Sequence, residues 1–454
     1  MKVLIANRGE IACRVIRSCR ALGIRTVAVY SEADRDALHT VLADEAHLIG
    51  PARAQESYLN VSNILEALRR SGADAVHPGY GFMSENASFA EAVIDAKRAW
   101  VGPAPETITA MGDKEKARQL AKAAGVPILP GSRRYVDGNF DELAATADSV
   151  GYPLLVKAAG GGGGIGMQRV DDPSALLKAA QSTQALAQRA FGDPTIYLER
   201  YIPRARHIEV QVFGFGDGRV VHMFERECSV QRRFQKVIEE SPAPGIETSL
   251  LKRMTAAATA LASSQNYSGA GTVEFVVDAM NMEFHFLEMN TRIQVEHPVT
   301  EMVTGLDLVE LQLRQAVGDD LSSVTQESIR RTGHALECRL YAEDPNKNFM
   351  PSPGRLSAFE LPAPNSTFRV ETGVRSGDAI SVYYDPLIAK VICAGRDRAS
   401  TIEKSVEQLQ AIKIAGIRTN VRFLAKVLRH ASFAAGEVHT RFIDEHRSAL
   451  IDGA

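Results

Sequence analysis

The apolar runs of the first hundred residues are short and separated by polar or helical stretches. They fall at residues 3–6, 26–30, 75–77 and 100–101. Between the first two runs, residues 11–22 carry apolar side chains at helical spacing, and Gly23 ends that pattern. This strand–helix–strand order predicts a doubly wound parallel sheet. Because ligands of such sheets bind beyond the carboxyl ends of the strands, the loops at residues 7–10 and 78–82 are candidate binding loops.

The rest of the chain mixes helical and alternating patterns. Helical patterns cover residues 112–124 and 173–189, and strand patterns cover residues 153–157, 195–199, 208–213 and 220–225. This mixture predicts an α+β region with antiparallel pairing. Further strands at residues 335–341 and 379–393 precede amphipathic helices from Thr401 and Asn420. At about 150 residues per domain, the chain has room for roughly three domains.

Composition narrows the class of protein without naming a function. The 454 residues include 52 Lys and Arg against 55 Asp and Glu, and 45% are hydrophobic. These values are ordinary for a globular protein and exclude collagen-like, disordered and disulfide-scaffold classes. The near-neutral charge gives no reason to expect a nucleic-acid partner or a membrane surface. Since no apolar run approaches a signal-peptide core or the roughly 18 residues of a membrane span, we expect a soluble, cytoplasmic protein.

A run of glycines is the first candidate for chemistry. Residues 160–164 and Gly166 are glycine, and they follow Lys157 at the end of a predicted strand. Glycine lets main-chain N–H groups approach phosphate oxygens, and a lysine adds a mobile positive charge. The run does not match the Walker pattern, and the alternative is a flexible linker. Its position between strands favours a phosphate-covering lid.

A pair of glutamates suggests a metal site. Residues 271–278 and 283–290 are predicted strands with a turn centred on Asn281, so the numbers of opposed residues should sum to about 562. Glu274 and Glu288 meet this condition and would face each other on one side of the sheet. Like charges in that position repel, and Mg²⁺ or Mn²⁺ would remove the conflict. The alternative is two solvated glutamates.

Residues 290–298 directly follow the second of these strands. In an extended segment Arg292, Gln294 and Glu296 would share one side, and Ile293 and Val295 the other. An arginine can hold a small planar anion, and a carboxylate beside it can act as a base. The alternative is an exposed, salt-bridged loop.

Two further charged stretches remain ambiguous from spacing alone. Residues 231–236 include Lys236 and, by charge density, predict a solvated face. Glu337 and Arg339 would share the strand face opposite Leu336 and Cys338, as an ion pair or an anion site.

Several motifs in order resemble those of biotin carboxylases, a branch of the ATP-grasp ligases, over essentially the whole chain. The motifs are Ile5-Ala6-Asn7-Arg8-Gly9-Glu10, His77-Pro78-Gly79-Tyr80-Gly81-Phe82, Met111-Gly112-Asp113-Lys114, the glycine run, residues 231–236, and Glu288-Met289-Asn290-Thr291-Arg292-Ile293-Gln294-Val295-Glu296-His297-Pro298. The resemblance implies an N-terminal doubly wound parallel domain at residues 1–112 and an ATP-grasp domain at 113–331. A mobile lid would occupy about 131–202, and a C-terminal mixed β/α domain 332–454.

By motif position, the resemblance also implies a set of site residues. Those for ATP would be Lys114, Lys157, Gly163, Gly164, Gly166, Glu199, Arg200, Tyr201, Ile202, His207 and Gln231, and those for the metal Glu274, Glu288 and Asn290. Bicarbonate and biotin would contact Lys236, Arg292, Gln294, Val295, Arg339 and Tyr80. By the same resemblance, Glu296 would be the base that deprotonates bicarbonate, and Arg339 would stabilise carboxyphosphate and the biotin enolate.

The implied activity is ATP-dependent carboxylation of biotin by bicarbonate through carboxyphosphate, the first half-reaction of an acetyl-CoA or acyl-CoA carboxylase. The sequence has no Ala/Val-Met-Lys-Met motif, so we expect biotin on a separate carrier protein, a separate carboxyltransferase and a possible homodimer. Phe234 and Ile165 stand where many acetyl-CoA carboxylase subunits have histidine and arginine, and the lid resembles urea-carboxylase-like proteins. The alternatives are a urea-carboxylase-like component, another ATP-grasp ligase, or a non-catalytic nucleotide-binding subunit. The last would be expected to lose Glu288, Arg292 or Glu296.

Overall fold

The computed structural model describes residues 1–136, 138–159 and 166–451. Gly163, Gly164 and Ile165, which the sequence places in the glycine-rich lid, lie outside these residues. Across the described ranges, every helix is too short or too polar to span a lipid bilayer.

The first part of the chain forms the predicted parallel sheet, with strand order β3-β2-β1-β4-β5. Its elements are β1 (Lys2–Ile5), α1 (Gly9–Ala21), β2 (Arg25–Tyr30), α2 (Leu38–Leu42), β3 (Glu45–Leu48), α3 (Val61–Ser71), β4 (Ala75–His77), α4 (Ala87–Asp95), β5 (Ala99–Trp100) and α5 (Pro105–Gly112). The sequence pattern does not predict β3, because its polar residues Glu45 and His47 are half-buried while Ala46 and Leu48 are exposed. The loops after β1 and β4 meet, since Asn7 Nδ2 donates to the carbonyls of Pro78 and Tyr80, each at 2.7 Å.

The middle of the chain contributes helices and two sets of antiparallel strands. Its elements are α6 (Lys114–Ala123), α7 (Leu143–Val150), β6 (Leu154–Ala158), β7 (Met167–Val170), α8 (Leu176–Phe191), β8 (Ile196–Arg200), β9 (Ala205–Phe215), β10 (Val220–Arg232), β11 (Gln235–Ser241), α9 (Thr248–Ser264), β12 (Ser268–Asp278), β13 (Phe284–Asn290), α10 (His297–Thr304) and α11 (Leu308–Ala316). Strands β6 to β8 form a separate three-stranded sheet, which packs with α7 and α8 around its own apolar cluster. This unit falls within residues 131–202, and we refer to it as the lid unit.

The last part of the chain is strand-rich and then helical, as predicted. Its elements are β14 (His334–Tyr341), β15 (Glu343–Asp344), β16 (Met350–Pro351), β17 (Gly354–Arg355), β18 (Ala358–Glu360), β19 (Phe368–Thr372), β20 (Ala379–Ile380), β21 (Leu387–Gly395), α12 (Arg398–Ala411), β22 (Lys413–Ala415), α13 (Val421–Arg429), α14 (Ala431–Ala434), α15 (Phe442–Glu445) and α16 (Arg447–Ile451). The predicted single strand over residues 379–393 is wrong. It is split into β20 and β21 by a loop that contains Pro386, which has no N–H for a strand ladder.

An eight-stranded antiparallel sheet joins the middle and last parts, in the order β13-β12-β9-β10-β11-β14-β21-β19. It continues across the expected boundary between residues 331 and 332, because β11 pairs with β14. Its apolar faces pack into two clusters, one with α9 and one with α12 and α13. The ends of its central strands and the loop after β13 form the floor of the main cleft.

Candidate active site

The main cleft has a volume of about 570 Å³ and is walled by the lid unit, the eight-stranded sheet and residues 290–296. Most of the residues that the sequence assigns to a site line it. They are Lys114, Lys157, Glu199, Arg200, Tyr201, Ile202, His207, Gln231, Lys236, Glu274, Glu288, Asn290, Arg292, Gln294, Val295, Glu296 and Arg339. Residues spread over more than two hundred positions of the chain are thus brought to one cavity.

Lys236 is the electrostatic centre of this cleft. Its Nζ contacts carboxylate oxygens of Glu209 at 2.6 Å, Glu296 at 2.7 Å and Glu274 at 2.9 Å. The side chain is only 12% exposed, so the charge-based prediction of a solvated face is wrong for Lys236, whereas Arg233 and Phe234 of the same stretch are exposed. The stretch folds back as the β10–β11 hairpin, with Gln231 opposite Lys236, and the hairpin turns Lys236 into the cleft. Burial alone would lower the pKa of Lys236, but the three carboxylates hold it well above its usual value.

Charged residues stand side by side across four neighbouring strands. The register places Arg226 beside Glu209, Glu209 beside Glu274, and Glu274 beside Glu288. The predicted pairing of Glu274 with Glu288 is therefore confirmed. Burial and the negative charge of Glu274 both raise the pKa of Glu288. The like-charge conflict inferred from the sequence is thus present in the fold.

The same pair of glutamates fits a divalent cation. Carboxylate and amide oxygens are the ligands that Mg²⁺ and Mn²⁺ prefer, and Glu274, Glu288 and Asn290 line one side of the cleft. Asn290 Nδ2 donates to Glu274 Oε1 at 2.9 Å, and Asn290 Oδ1 accepts from Arg292 at 2.8 Å. A cation between the two carboxylates would remove the repulsion that raises the pKa of Glu288.

Residues 290–296 form a turn, so the prediction of an extended segment is wrong. Glu296 is the N-cap of α10, and Pro298 lies in the first turn of that helix, so the chain bends before residue 297. Ile293 packs in the core, whereas Val295 lines the cleft beside Arg292, Gln294 and Glu296. The expected convergence of arginine, amide and carboxylate is present, although it arises from a turn.

Buried hydrogen bonds hold this turn in place. Arg226, 0% exposed, donates to Gln294 Oε1 at 2.9 Å and to Thr300 Oγ1 at 2.9 Å. Gln294 Nε2 in turn donates to Glu274 Oε1 at 2.7 Å. Arg292 Nε pairs with Glu85 at 3.0 Å, which connects the turn to the N-terminal part.

Glu296 is held between two cations. Besides Lys236, Arg339 donates to its second carboxylate oxygen at 2.8 Å. Burial alone would raise the pKa of Glu296, but the charges of Lys236, Arg339 and Arg226 hold it well below its usual value. At neutral pH Glu296 is therefore a carboxylate that can accept a proton.

Arg339 shares a strand face with Glu337, as predicted, but it does not form an ion pair with it. Its Nε lies 2.6 Å from Glu239 Oε1. Glu239 is the register partner of Glu337, and both are fully buried. Burial raises the pKa of Glu239 to about 7 and raises that of Glu337 well above its usual value. This places two protonatable carboxyls behind Arg339.

The lid end of the cleft holds a second group of charges. Lys157 Nζ pairs with Glu199 Oε2 at 2.6 Å. His207 Nε2 lies 2.7 Å from Glu274, and its Nδ1 lies 2.6 Å from Gln231 Nε2. Burial lowers the pKa of His207, but Glu274 reverses this, so the net shift is upward. Phe234 also lines this cavity and is 62% exposed.

Of the predicted site residues that the structure describes, two do not line the cleft. The hydroxyl of Tyr80 donates to Glu10. Gly166 closes the β6–β7 hairpin, because its carbonyl accepts from the N–H of Ala158 at 2.8 Å. A Cβ at Gly166 would lie 2.8 Å from that of Ala158, so a larger residue would not fit.

The sequence interpretation missed Glu209 and Arg226, which are as central as the predicted residues. Glu209 lies between buried Ile208 and Val210 in β9, and a charged residue between two apolar strand positions is the available signal. Arg226, between Glu225 and Glu227, looks like part of a surface charge run. Only the fold reveals that it is buried.

Comparison with known families covers almost the whole chain. Residues 1–108 match the family described as biotin carboxylase, N-terminal domain, residues 113–324 the carbamoyl-phosphate synthase L chain, ATP binding domain, and residues 337–445 the biotin carboxylase C-terminal domain. Biotin carboxylase 1 of Bacillus subtilis (strain 168) is 48% identical over 445 residues, 98% of each chain. The chain belongs to the biotin carboxylase family.

Other similar proteins are subunits of carboxylases, and this chain spans different shares of their lengths. The alpha subunit of the mitochondrial methylcrotonoyl-CoA carboxylase of Glycine max is 49% identical over 99% of this chain, which spans 61% of the relative. A pyruvate carboxylase subunit of Methanothermobacter thermautotrophicus is 47% identical over 99% of this chain and 90% of its own length.

Solved structures of the family share the fold over nearly their full length. The biotin carboxylase of Campylobacter jejuni has a TM-score of 0.92 at 43% identity, with 98% of both chains covered. The biotin carboxylase domain of Hydrogenobacter thermophilus 2-oxoglutarate carboxylase has a TM-score of 0.91 at 40% identity, covering 99% of this chain and 98% of that one. That structure is a dimer in complex with MgADP, ADP and bicarbonate.

Proposed function

We propose that this protein is a biotin carboxylase, an ATP-dependent ligase that carboxylates biotin on a separate carrier protein with bicarbonate, through carboxyphosphate. The observation that carries the proposal is Glu296, held between Lys236 and Arg339 beside the Glu274–Glu288 pair. A base, two anion-holding cations and a candidate metal pair thus share one cavity. The Hydrogenobacter thermophilus domain, whose structure contains MgADP and bicarbonate, supports the choice of substrates.

In this proposal the lid end of the cleft binds ATP. Lys114 and Lys157 contact the phosphates, Glu199 to Ile202 contact the adenine, and Gly163, Gly164 and Gly166 cover the nucleotide. His207 and Gln231 form a hydrogen-bonded pair beside Glu274 and complete the nucleotide site. Glu274, Glu288 and Asn290 hold Mg²⁺ or Mn²⁺, which neutralises phosphate charge when bound.

Bicarbonate is placed by Lys236, Arg292, Gln294 and Val295, and Glu296 removes its proton. A bicarbonate oxygen then attacks the γ-phosphorus, the bond from this phosphorus to the β–γ bridging oxygen breaks, and carboxyphosphate and ADP form. Holding a weak nucleophile in line with its target lowers the entropic part of the barrier. The pKa of Glu296 lies well below its usual value because Lys236 and Arg339 oppose the effect of burial. Anionic substrates that compete for these cations would raise that pKa and make Glu296 a stronger base.

Arg339 is the residue that we assign to the carboxylation of biotin. It can stabilise the charge of carboxyphosphate and then of the biotin enolate, since it reaches the cleft beside Glu296. Tyr80, which is absent from the cleft lining, would act through Glu10 rather than by direct contact.

The proposal extends to organisation and partners. The proposed domains are residues 1–112, 113–331 and 332–454, and the three separate family matches support a division into three. A biotin carboxyl carrier protein, a carboxyltransferase and a homodimer are the proposed partners. An acyl-CoA such as acetyl-CoA is the proposed final acceptor. Because a similar protein is a pyruvate carboxylase subunit, the alternative acceptor is a 2-oxo acid. An assay of carboxyl transfer to each acceptor would distinguish the two. A cytoplasmic location stays a prediction.

The test is ADP release by the purified chain with Mg²⁺, bicarbonate and free biotin. We expect Glu296→Gln to lower the biotin-dependent rate by about 10²–10⁴-fold, because it removes the general base, while ATP binding is retained. Glu283→Gln, an exposed change near the turn between β12 and β13, is the matched control. Stimulation of the wild-type chain by urea but not by biotin would refute the proposal, and unchanged turnover of Glu296→Gln would remove the base assignment.

A further inference from the structure

Arg118 lies on α6 behind the lid end of the cleft, and the roles given above do not use it. It is absent from the cleft lining and instead lines an adjoining cavity of about 260 Å³ together with Tyr197. Its guanidinium makes two directed contacts. NH1 donates to Glu199 Oε1 at 2.7 Å, and NH2 donates to the carbonyl of Leu129 at 2.9 Å.

These contacts connect strand β8 of the lid unit to helix α6 and the segment that follows it. Glu199 lies on β8, and Leu129 lies in the segment that leads from α6 into the lid. Main-chain hydrogen bonds join the same two segments, from Arg200 N to Pro130 O and from Ser132 N to Leu198 O, each at 2.9 Å. Arg118 adds a charged side-chain contact to this junction, and its planar fork fixes both partners at once.

The two oxygens of Glu199 are shared between two cations. Arg118 occupies Oε1, and Lys157 occupies Oε2 at 2.6 Å. The Glu199 side chain is only 10% exposed, so water compensates its charge poorly. If Lys157 moves to a phosphate, Arg118 remains as the counter-ion of Glu199. Without Arg118, that movement would leave a nearly buried carboxylate unpaired, which is unfavourable.

We propose that Arg118 is a positioning residue for the nucleotide, which keeps Glu199 aimed at the amino group of adenine and leaves Lys157 available for the phosphates. This rests on the proposed function, in which Glu199 and Lys157 contact ATP. Arg118 acts through Glu199 and does not touch the substrate. It therefore determines specificity for a purine that carries a 6-amino group.

The experiment compares ATP with ITP, which lacks that amino group, in biotin-dependent turnover. For Arg118→Gln we expect the KM for ATP to rise about tenfold, equivalent to about 1.4 kcal/mol, with the KM for bicarbonate unchanged. The ratio of kcat/KM for ATP to that for ITP falls, because the aim of Glu199 matters only for the amino group. Lys122→Gln, an exposed change on the same helix, is the matched control and keeps the wild-type ratio.

Arg118→Lys provides a second arm, because lysine keeps the charge but not the planar fork. We expect its KM for ATP to stay within about threefold of wild type and its ATP-to-ITP ratio to fall. An unchanged ratio in either folded variant overturns the proposal, since a purely structural defect would affect both nucleotides alike. If the wild-type chain shows no biotin-dependent ADP release, the proposed function has failed. If it is active and the ratio does not change, only the role of Arg118 has failed.

Discussion

Replacing Lys236 with methionine should destabilise the protein strongly at neutral pH. The ammonium contacts Glu209, Glu274 and Glu296 within 2.6–2.9 Å and is only 12% exposed. Methionine has similar length but no charge, so the substitution leaves buried carboxylates with fewer counter-ions. Removing one partner of a buried ion pair costs about 3–5 kcal/mol, and we take the lower end because Arg226 and Arg339 remain.

This magnitude converts to an observable shift in melting temperature. At about 2.1 cal/mol/K per residue, unfolding of the 454-residue chain as one unit has an entropy of about 1 kcal/mol/K, so a loss of about 3 kcal/mol lowers the Tm by about 3 °C. The assay is thermal unfolding at a fixed scan rate in buffer with EDTA. Lys252→Met, an exposed lysine on α9, is the control and should leave the Tm unchanged.

The pH dependence of the Tm difference between wild type and Lys236→Met tests whether the loss of stability is electrostatic. Burial alone would raise the pKa of Glu296, but Lys236 and two arginines hold it well below its usual value. A carboxylate with a lowered folded pKa contributes stability above its unfolded pKa of about 4.3, and that stability is lost as the pH falls through the folded pKa. The Tm difference should therefore be complete near neutral pH and shrink below about pH 4.3. Equal Tm values at neutral pH, or a difference that grows with acid, would refute the reasoning.

Three further predictions concern the metal pair, the core and the carboxyl behind Arg339. Glu288→Gln should raise the Mg²⁺ concentration for half-maximal ADP release by about tenfold or more, because it removes one of two facing carboxylates. An unchanged Mg²⁺ titration would contradict the assignment of Glu288 as a metal ligand. Phe275→Ala, at a fully buried position, should cost about 3–5 kcal/mol in urea unfolding, and a loss below about 1 kcal/mol would contradict its packing. Glu239, whose pKa burial raises to about 7, takes up a proton on folding, so wild-type stability should fall as the pH rises from about 5 to 8. Glu239→Gln should reduce that fall, since Glu337 with its raised pKa remains, and parallel pH profiles for the two proteins would contradict it.

The strands and the glutamate pair could be predicted because their signals are local. Glu274 faces Glu288 as the numbering implies, although nearer the turn Phe275 pairs with Phe286, one position off the symmetric register, and a register shift between Glu274 and Phe275 restores it. The parallel sheet likewise follows from apolar runs separated by a helical pattern. In contrast, β3 has its polar residues turned inward at the edge of the sheet, which the period of its sequence does not indicate.

The centre of the site depends on contacts that are distant along the chain. The three carboxylates around Lys236 are 27, 38 and 60 residues away from it, so a local charge pattern suggests surface where the fold forms a buried network. The bend before Glu296 is set by the start of α10, and the alternation of side chains expected for an extended strand does not indicate it. The family resemblance supplied the candidate roles of Lys236 and Arg339, and it missed their buried partner Glu239.

Lys390 has a consequence for how this chain can be built and rearranged. It comes from β21, is fully buried, lies 3.2 Å from Glu10 of α1, and donates at 2.8 Å to the carbonyl of Val295 in the cleft turn. During synthesis the turn therefore lacks this support until β21 has been made, long after the turn itself. Exchanging one third of the chain with a homologue would disturb a contact that all three thirds share. The biotin carboxylase chain is therefore expected to evolve as one unit at this point, even where its segments resemble separate families.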